Sequence, residues 1–171
     1  MLSRLLDLRP LFADALLVTN TPDVYAEYGL RSVRDVVPNR GAPGGVHTAL
    51  VHARTTWVFA VACDMPFVSV EVTEMLLRSR SDAKDVICFE VEGRPEPLLA
   101  LYRCSIAGAW GRALSAEPSF RQLFRHFRTH LLGDSELRQV DPQMRAIASI
   151  NTPEDLARFG IKSPGTEGSA P

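Results

Sequence analysis

Lysine is almost missing from this chain of 171 residues: Lys84 and Lys162 are the only two, so chemistry that needs a lysine has two candidates. Cysteine is scarce as well. Cys63, Cys88 and Cys104 are odd in number, widely spaced and without a Cys-x-x-Cys pair. That pattern excludes a disulfide framework and a zinc knuckle, and it points to a reducing cytoplasm. Neither sign of charge dominates, with 19 basic against 20 acidic residues and a net charge of −1. The broad positive field of a nucleic-acid binder is therefore not expected. The longest apolar run is the seven residues 57–63, far short of the ~20 that cross a membrane as a helix. Asp7 interrupts the apolar N-terminus, so residues 1–10 do not read as a targeting segment. No internal repeat is found.

What is present is the composition of an ordinary globular domain, 46% hydrophobic and 23% charged. A chain of this size buries roughly two-thirds of its unfolded surface and needs no covalent or metal staple. One domain over residues 1–161 is expected, followed by a disordered tail at 162–171 rich in Ser, Pro and Gly.

Leu2, Leu5 and Leu6 recur at helical spacing, closed by Pro10. Residues 14–20 read as a strand, and Thr21 caps a helix that Pro22 opens and Gly29 ends. Residues 31–37 read as a strand, and 38–45, with three glycines and two prolines, as an irregular loop. A helix over 46–53 leads into a strand at 57–63 that reads as buried on both faces. A helix at 70–80, a strand at 85–91, a turn at Glu92-Gly93 and a strand at 98–102 follow. Helices are expected at 106–114 and 119–129, short strands at 137–140 and 146–150, and a capped helix start at Thr152-Pro153. This alternation predicts an α/β fold, a three-layer α/β/α sandwich around a mostly parallel, Rossmann-like sheet.

Ligands of such sheets bind beyond the carboxyl ends of the strands, where Asn20, the 37–45 loop, Asp64 and Asn151 all fall. Asp64 is suited to a magnesium ion, which needs few protein oxygens and completes its shell with water and phosphate; otherwise it caps the next turn. The glycines at 41–45 allow the backbone to approach a base or a phosphate, or form only a tight connection. Asp35 reads as a surface ion pair with Arg31, Arg34 or Arg40. His126 and His130 stand at i, i+4 on the expected helix, a zinc spacing that here reads as a solvated basic face. His47 and His52 do not share a face, and Cys63 reads as core packing. A phosphatase nucleophile at Asp64 would want an acid two residues on, where Pro66 stands.

Cys63-Asp64-Met65-Pro66-Phe67 resembles the molybdenum cofactor guanylyltransferases of the nucleotidyltransferase superfamily. Further stretches share that family's order and spacing: Asn20, Asp35-Val36-Val37-Pro38, Gly41-x-Pro43-Gly44-Gly45-Val46, Arg94-Pro95-Glu96-Pro97 through Tyr102, and Asn151-Thr152-Pro153-Glu154-Asp155-Leu156. The resemblance implies transfer of GMP from GTP to molybdopterin, with pyrophosphate released. It implies Asp64 as the catalytic residue and magnesium ligand, Asn20, Asp35, Gly41, Pro43 and Gly44 on the nucleotide side, and Arg94, Pro97 and Asn151 on the cofactor side. GTP and molybdopterin are the implied partners, with self-association or a molybdoenzyme or chaperone partner beside them. Two alternatives stay open: a cytidylyl or sugar-nucleotide transferase of the same superfamily, and a non-catalytic module of the same fold that binds molybdopterin or a partner.

The family opens with a strand and a glycine-rich loop ending in Asp-Lys, which grip the triphosphate, and neither occurs here. Their absence reads as a start placed too far downstream or as a degenerate paralogue. In the resemblance that first strand lies between those at 15–18 and 57–62, so these two are expected either to pair directly or to leave a gap. Poor GTP binding is the expected result. Ser149 stands where the family favours asparagine.

Overall fold

The computed structural model describes residues 2–116 and 119–159, so the expected tail at 162–171 lies outside the described residues. The strands are β1 (Leu16–Val18), β2 (Arg31–Val33), β3 (Trp57–Val61), β4 (Val86–Val91), β5 (Arg94–Arg103) and β6 (Thr129–Leu132). The α-helices are α1 (Leu2–Leu5), α2 (Gly41–His52), α3 (Val70–Arg78), α4 (Ala107–Ala116), α5 (Phe120–Leu123), α6 (Asp134–Val140) and α7 (Pro153–Arg158).

The expected α/β class is what forms, with the strands divided between two sheets. β1 and β2 make a parallel pair, and the other sheet has the order β3-β5-β4-β6. β5 runs antiparallel to both β3 and β4, while β4 and β6 are parallel, so the larger sheet is mixed. The β4–β5 hairpin turns through Glu92 and Gly93, at φ 50° and 73°. That is the left-handed backbone a two-residue hairpin turn requires.

Alternation along the central strands builds the layers. Ile87, Phe89, Leu99 and Leu101 face one cluster with Leu5, Leu8, Val72, Leu76 and Leu137. Val86, Cys88, Ala100 and Tyr102 face the other, with Val46, Leu50, Trp110, Leu114 and Phe124. Successive strand residues point to opposite faces, so two apolar sets on one strand demand helical cover on both sides.

Between direct pairing and a gap, β1 and β3 adopt the gap. A cavity of about 640 Å³ lies between them, lined among others by Leu5, Leu17, Val18, Trp57, Phe59 and Val61. This corrects the reading of β3 as buried on both faces: all five of its residues are half-buried. Phe12 partly covers the opening by stacking on Phe59 at 5.3 Å between ring centroids.

Several expected elements change. The N-terminal helix tightens into a 3₁₀ segment, Leu6–Leu11, that continues through Pro10 instead of ending at it. Residues 22–28 form a 3₁₀ segment with no side-chain cap from Thr21, though Gly29 ends it at φ 61° as expected. The helix expected at 119–129 shortens to α5 and a 3₁₀ turn, Phe124–His126. Residues 129–132, of which the expected helix takes in only Thr129, are strand β6, 137–140 belong to helix α6, and 146–150 hold no strand. α7 does open on Thr152, whose side chain accepts the Asp155 N–H while the Asp155 carboxylate accepts the Thr152 N–H.

Candidate nucleotide site

The loop after β1 and the loop after β2 are joined by a reciprocal side-chain pair. Asn20 Nδ2 donates to Asp35 Oδ2 at 2.8 Å, and the Asp35 N–H donates to Asn20 Oδ1 at 3.3 Å. The surface ion pair expected for Asp35 is thus replaced by Asn20, and Arg31 pairs with Asp14 at 2.8 Å instead. One residue on, the Val36 N–H donates to Thr48 Oγ1 at 3.0 Å. The same hydroxyl donates to the Gly44 carbonyl at 3.0 Å. Trp110 Nε1 donates to the Pro43 carbonyl at 3.1 Å. Asn20, Asp35, Pro43 and Gly44, which the resemblance implies on the nucleotide side, therefore sit in one connected network.

The irregular loop expected up to residue 45 ends earlier, because residues 41–45 form the first turn and a little more of α2. A proline near a helix start costs little, since N–H groups there lack intrahelical partners anyway. Gly41 starts the helix at φ 54°. A Cβ on Gly44 would lie 2.7 Å from Arg40 Cβ, so a side chain there collides with the chain that enters the helix. The amides of this turn and the positive end of the helix dipole suit an anion.

Asp64 follows β3 in a turn closed by the Met65 N–H on the Ala62 carbonyl, and its own carbonyl accepts the Ile150 N–H at 2.8 Å. That bond brings the segment carrying Asn151 beside Asp64; Asn151 itself is exposed, with its N–H on Asp155 Oδ2. On the other side, the Ala62 N–H reaches the Leu98 carbonyl, and Tyr102 Oη donates to the Pro97 carbonyl at 2.7 Å. Pro97 therefore lies at the same strand end. Arg94 does not: it pairs with Val91 at the hairpin tip, three residues along β5, a rise of about 10 Å. Cys63 is exposed, contrary to the core packing expected of it. Desolvation at the strand end and the adjacent Asp64 charge push its thiol above the ordinary value, so it is not a ready nucleophile. Glu96, half-buried on β5, is likewise pushed up by burial.

Asp64 Oδ1 is buried and has no hydrogen-bond partner among the described residues. A desolvated carboxylate oxygen without a donor is costly unless a cation meets it. Among the described residues no three His, Cys, Asp or Glu side chains gather as a metal cage. One carboxylate completed by water and phosphate oxygens is the donor set magnesium accepts. The histidine pair does not survive: His126 ends a 3₁₀ turn and His130 lies on β6, not on one helix face.

Thr48, Trp110 and Arg145 escaped sequence reasoning. A threonine four residues after a glycine, inside an otherwise apolar helix face, is the one signal that could have marked Thr48. Arg145 stacks its guanidinium over Phe67 at 4.3 Å and follows Met144, which is held at φ 54°.

The model of the MobA-like NTP transferase domain family matches residues 1–134. The chain belongs to that family. A molybdenum cofactor guanylyltransferase from Syntrophotalea carbinolica is 29% identical over 166 residues, 96% of this chain and 79% of the relative. Another from Desulfosudis oleivorans is 29% identical over 146 residues, 85% and 72% of the two chains. The crystal structure of molybdopterin-guanine dinucleotide biosynthesis protein A from Archaeoglobus fulgidus superposes with a TM-score of 0.78 at 27% identity, over 91% of this chain and 81% of that one. These similarities to MobA-like proteins support the nucleotidyltransferase assignment that the motifs suggested. No helix among the described residues is long and apolar enough to cross a membrane.

Proposed function

We propose that this MobA-like chain carries the site for guanylyl transfer. A terminal phosphate oxygen of molybdopterin attacks the α-phosphorus of GTP, the α–β bridging P–O bond breaks, and pyrophosphate leaves with the bond electrons. The observation that carries the reading is the buried, unpartnered Asp64 Oδ1 at the end of β3. Asp64 would hold magnesium, which when bound offsets the charge of the triphosphate oxygens and of the incoming phosphate.

The chain's own residues supply position. Asp35, held by Asn20, presents a carboxylate that accepts N–H bonds from a base. Gly41, Pro43 and Gly44 bring backbone close to the nucleotide. Pro97 and Asn151, beside Asp64, face the acceptor; Arg94 stands further along β5, at the hairpin tip. Lys84 precedes β4, at the amino end of the parallel-running β3 and β4, whereas Asp64 follows the carboxyl end of β3. With no lysine brought to the triphosphate by the described residues, we infer weak GTP binding by residues 1–171.

The test is calorimetric titration of GTP with and without magnesium, on the chain and on Asp64→Asn, with CTP as competitor. Weak, magnesium-dependent binding that D64N loses and CTP does not compete away is expected. Tight binding contradicts the affinity inference, CTP preference favours the cytidylyl alternative, and a D64N variant with unchanged metal dependence overturns the site.

A second reading, a non-catalytic module that binds molybdopterin or a partner, is favoured by the open cavity between the sheets. Molybdopterin binding without any GTP turnover would support it. The three free cysteines suit a cytoplasmic setting. The apolar cavity lining would also favour self-association; a monomeric sedimentation profile at high concentration counts against that.

A further inference from the structure

The structure assigns Thr48 as a positioning residue of the nucleotide site, setting where the Asp35 carboxylate stands relative to the first turn of α2. The inference rests on the nucleotide reading above. Residues 34–39 form no helix or strand. The side chains that hold this stretch come from Asn20, which grips Asp35, and Thr48, which takes the Val36 N–H. Asn20 is exposed on a loop, whereas Thr48 is fully buried on a twelve-residue helix. Thr48 is thus the rigid anchor of the pair.

Its hydroxyl works in both directions. It accepts from Val36 at 3.0 Å and donates to Gly44 at 3.0 Å, so its single proton is committed and its orientation fixed. One oxygen therefore connects the residue after Asp35 to the glycine where side chains are excluded. Packing alone would not choose threonine: Val46 and Leu50, on the same helix, are buried hydrocarbon, and valine has nearly the same shape. Val36 itself is 46% exposed, so a released N–H can turn to water. Loss of the hydroxyl then costs little stability but frees the Asp35 segment to move. A group held within a fraction of an ångström binds a directional partner better than one that must be ordered on binding.

The experiment compares wild type, Thr48→Val and Thr48→Ser by amide NMR, titrating millimolar GTP and, separately, CTP. Melting temperatures within a few degrees of wild type are expected for both variants. In T48V the Val36 amide loses its exchange protection, and GTP affinity falls ~5-fold or more, the worth of about one hydrogen bond. GTP-induced shifts at Asp35 diminish and the preference over CTP narrows. T48S restores protection, affinity and preference. If T48V loses the Val36 protection yet binds GTP as wild type does, the positioning role is overturned while the nucleotide site stands. If wild type shows no GTP shifts at Asn20, Asp35 or Gly44, the nucleotide reading fails and takes this inference with it. If T48S behaves like T48V, the effect is one of packing and the inference is wrong.

Discussion

The β4–β5 hairpin and the β1–β2 pair are built to different standards. In the hairpin each strand has a neighbour on both sides, and residues 86–89 and 99–102 are essentially unexposed. In the pair, ladders are three residues long, β1 has β2 on one side and a cavity on the other, and Leu17 is its one buried residue. Asp64 is carried by β3, hydrogen-bonded to the well-packed hairpin, whereas Asn20 and Asp35 are carried by the loosely packed pair. The candidate site therefore spans a joint, and α2, which packs against β1 as well as β3 and β5, is the element common to both sides. A site shared between a rigid and a yielding part depends on the ties across it more than on either part.

The sharpest way to break this contrast is to delete matching side chains. Leu101→Ala, in the buried stretch 99–102 of β5, should cost about 2–5 kcal/mol in denaturant unfolding. Leu17→Ala, beside an existing cavity, should cost about half as much, because less packing is lost there. Equal losses would show that β1 is packed as firmly as β5.

A second test uses the anchor at the base of β4. The Asp85 carboxylate accepts from Arg128 Nε at 2.9 Å, Nη2 at 2.7 Å and the backbone N–H at 3.0 Å. These bonds hold its carboxyl below the usual carboxylate range. A depressed folded-state pKa adds stability above the unfolded value, lost as pH falls through the folded one. Asp85→Asn should therefore cost about 1–3 kcal/mol at neutral pH, toward the lower end because Arg128 is exposed, and flatten the acid limb of the stability curve. Burial also lowers the pKa of His47, whose contribution is likewise present above its unfolded value and lost on acidification through the lower folded one. His47→Gln should reduce the slope of stability against pH just below neutrality, a smaller effect. An unchanged slope would mean that His47 titrates alike folded and unfolded.

The smallest expected effect needs no mutation. Amides of residues 16–18 and 31–33 should exchange with solvent faster than those of 86–89 and 99–102, by local opening rather than global unfolding. Uniform exchange would remove the distinction between the regions.

How far the sequence could be read follows the same division. The apolar runs that became β4 and β5 were legible because strands buried on both sides need continuous hydrocarbon; the run that became β3 was legible as a strand, but its cavity-facing side was not. Residues 129–132 and 137–140 were not, because short apolar runs serve helix and strand alike and only neighbouring elements decide. The start of α2 was hidden by glycine and proline, which a first helical turn tolerates. Asp64 was visible from its place after an apolar strand. The Asn20–Asp35 pair was not visible from spacing: its members are 15 residues apart, and the arginines near Asp35 suggested a nearer partner. Thr48 was hidden because one of its hydrogen bonds stays within α2 and the other reaches the loop after β2, which it meets only once α2 has packed there.

Asp64 is proposed to hold a divalent cation at a nucleotide bound across the joint. Manganese used in place of magnesium tests this by paramagnetic broadening of amide signals in the presence of GTP. Broadening is expected to centre on residues 63–65 and to reach Asn20 and Gly44, and to be abolished in Asp64→Asn. Broadening centred elsewhere, or unchanged when Asp64 is replaced, would contradict it.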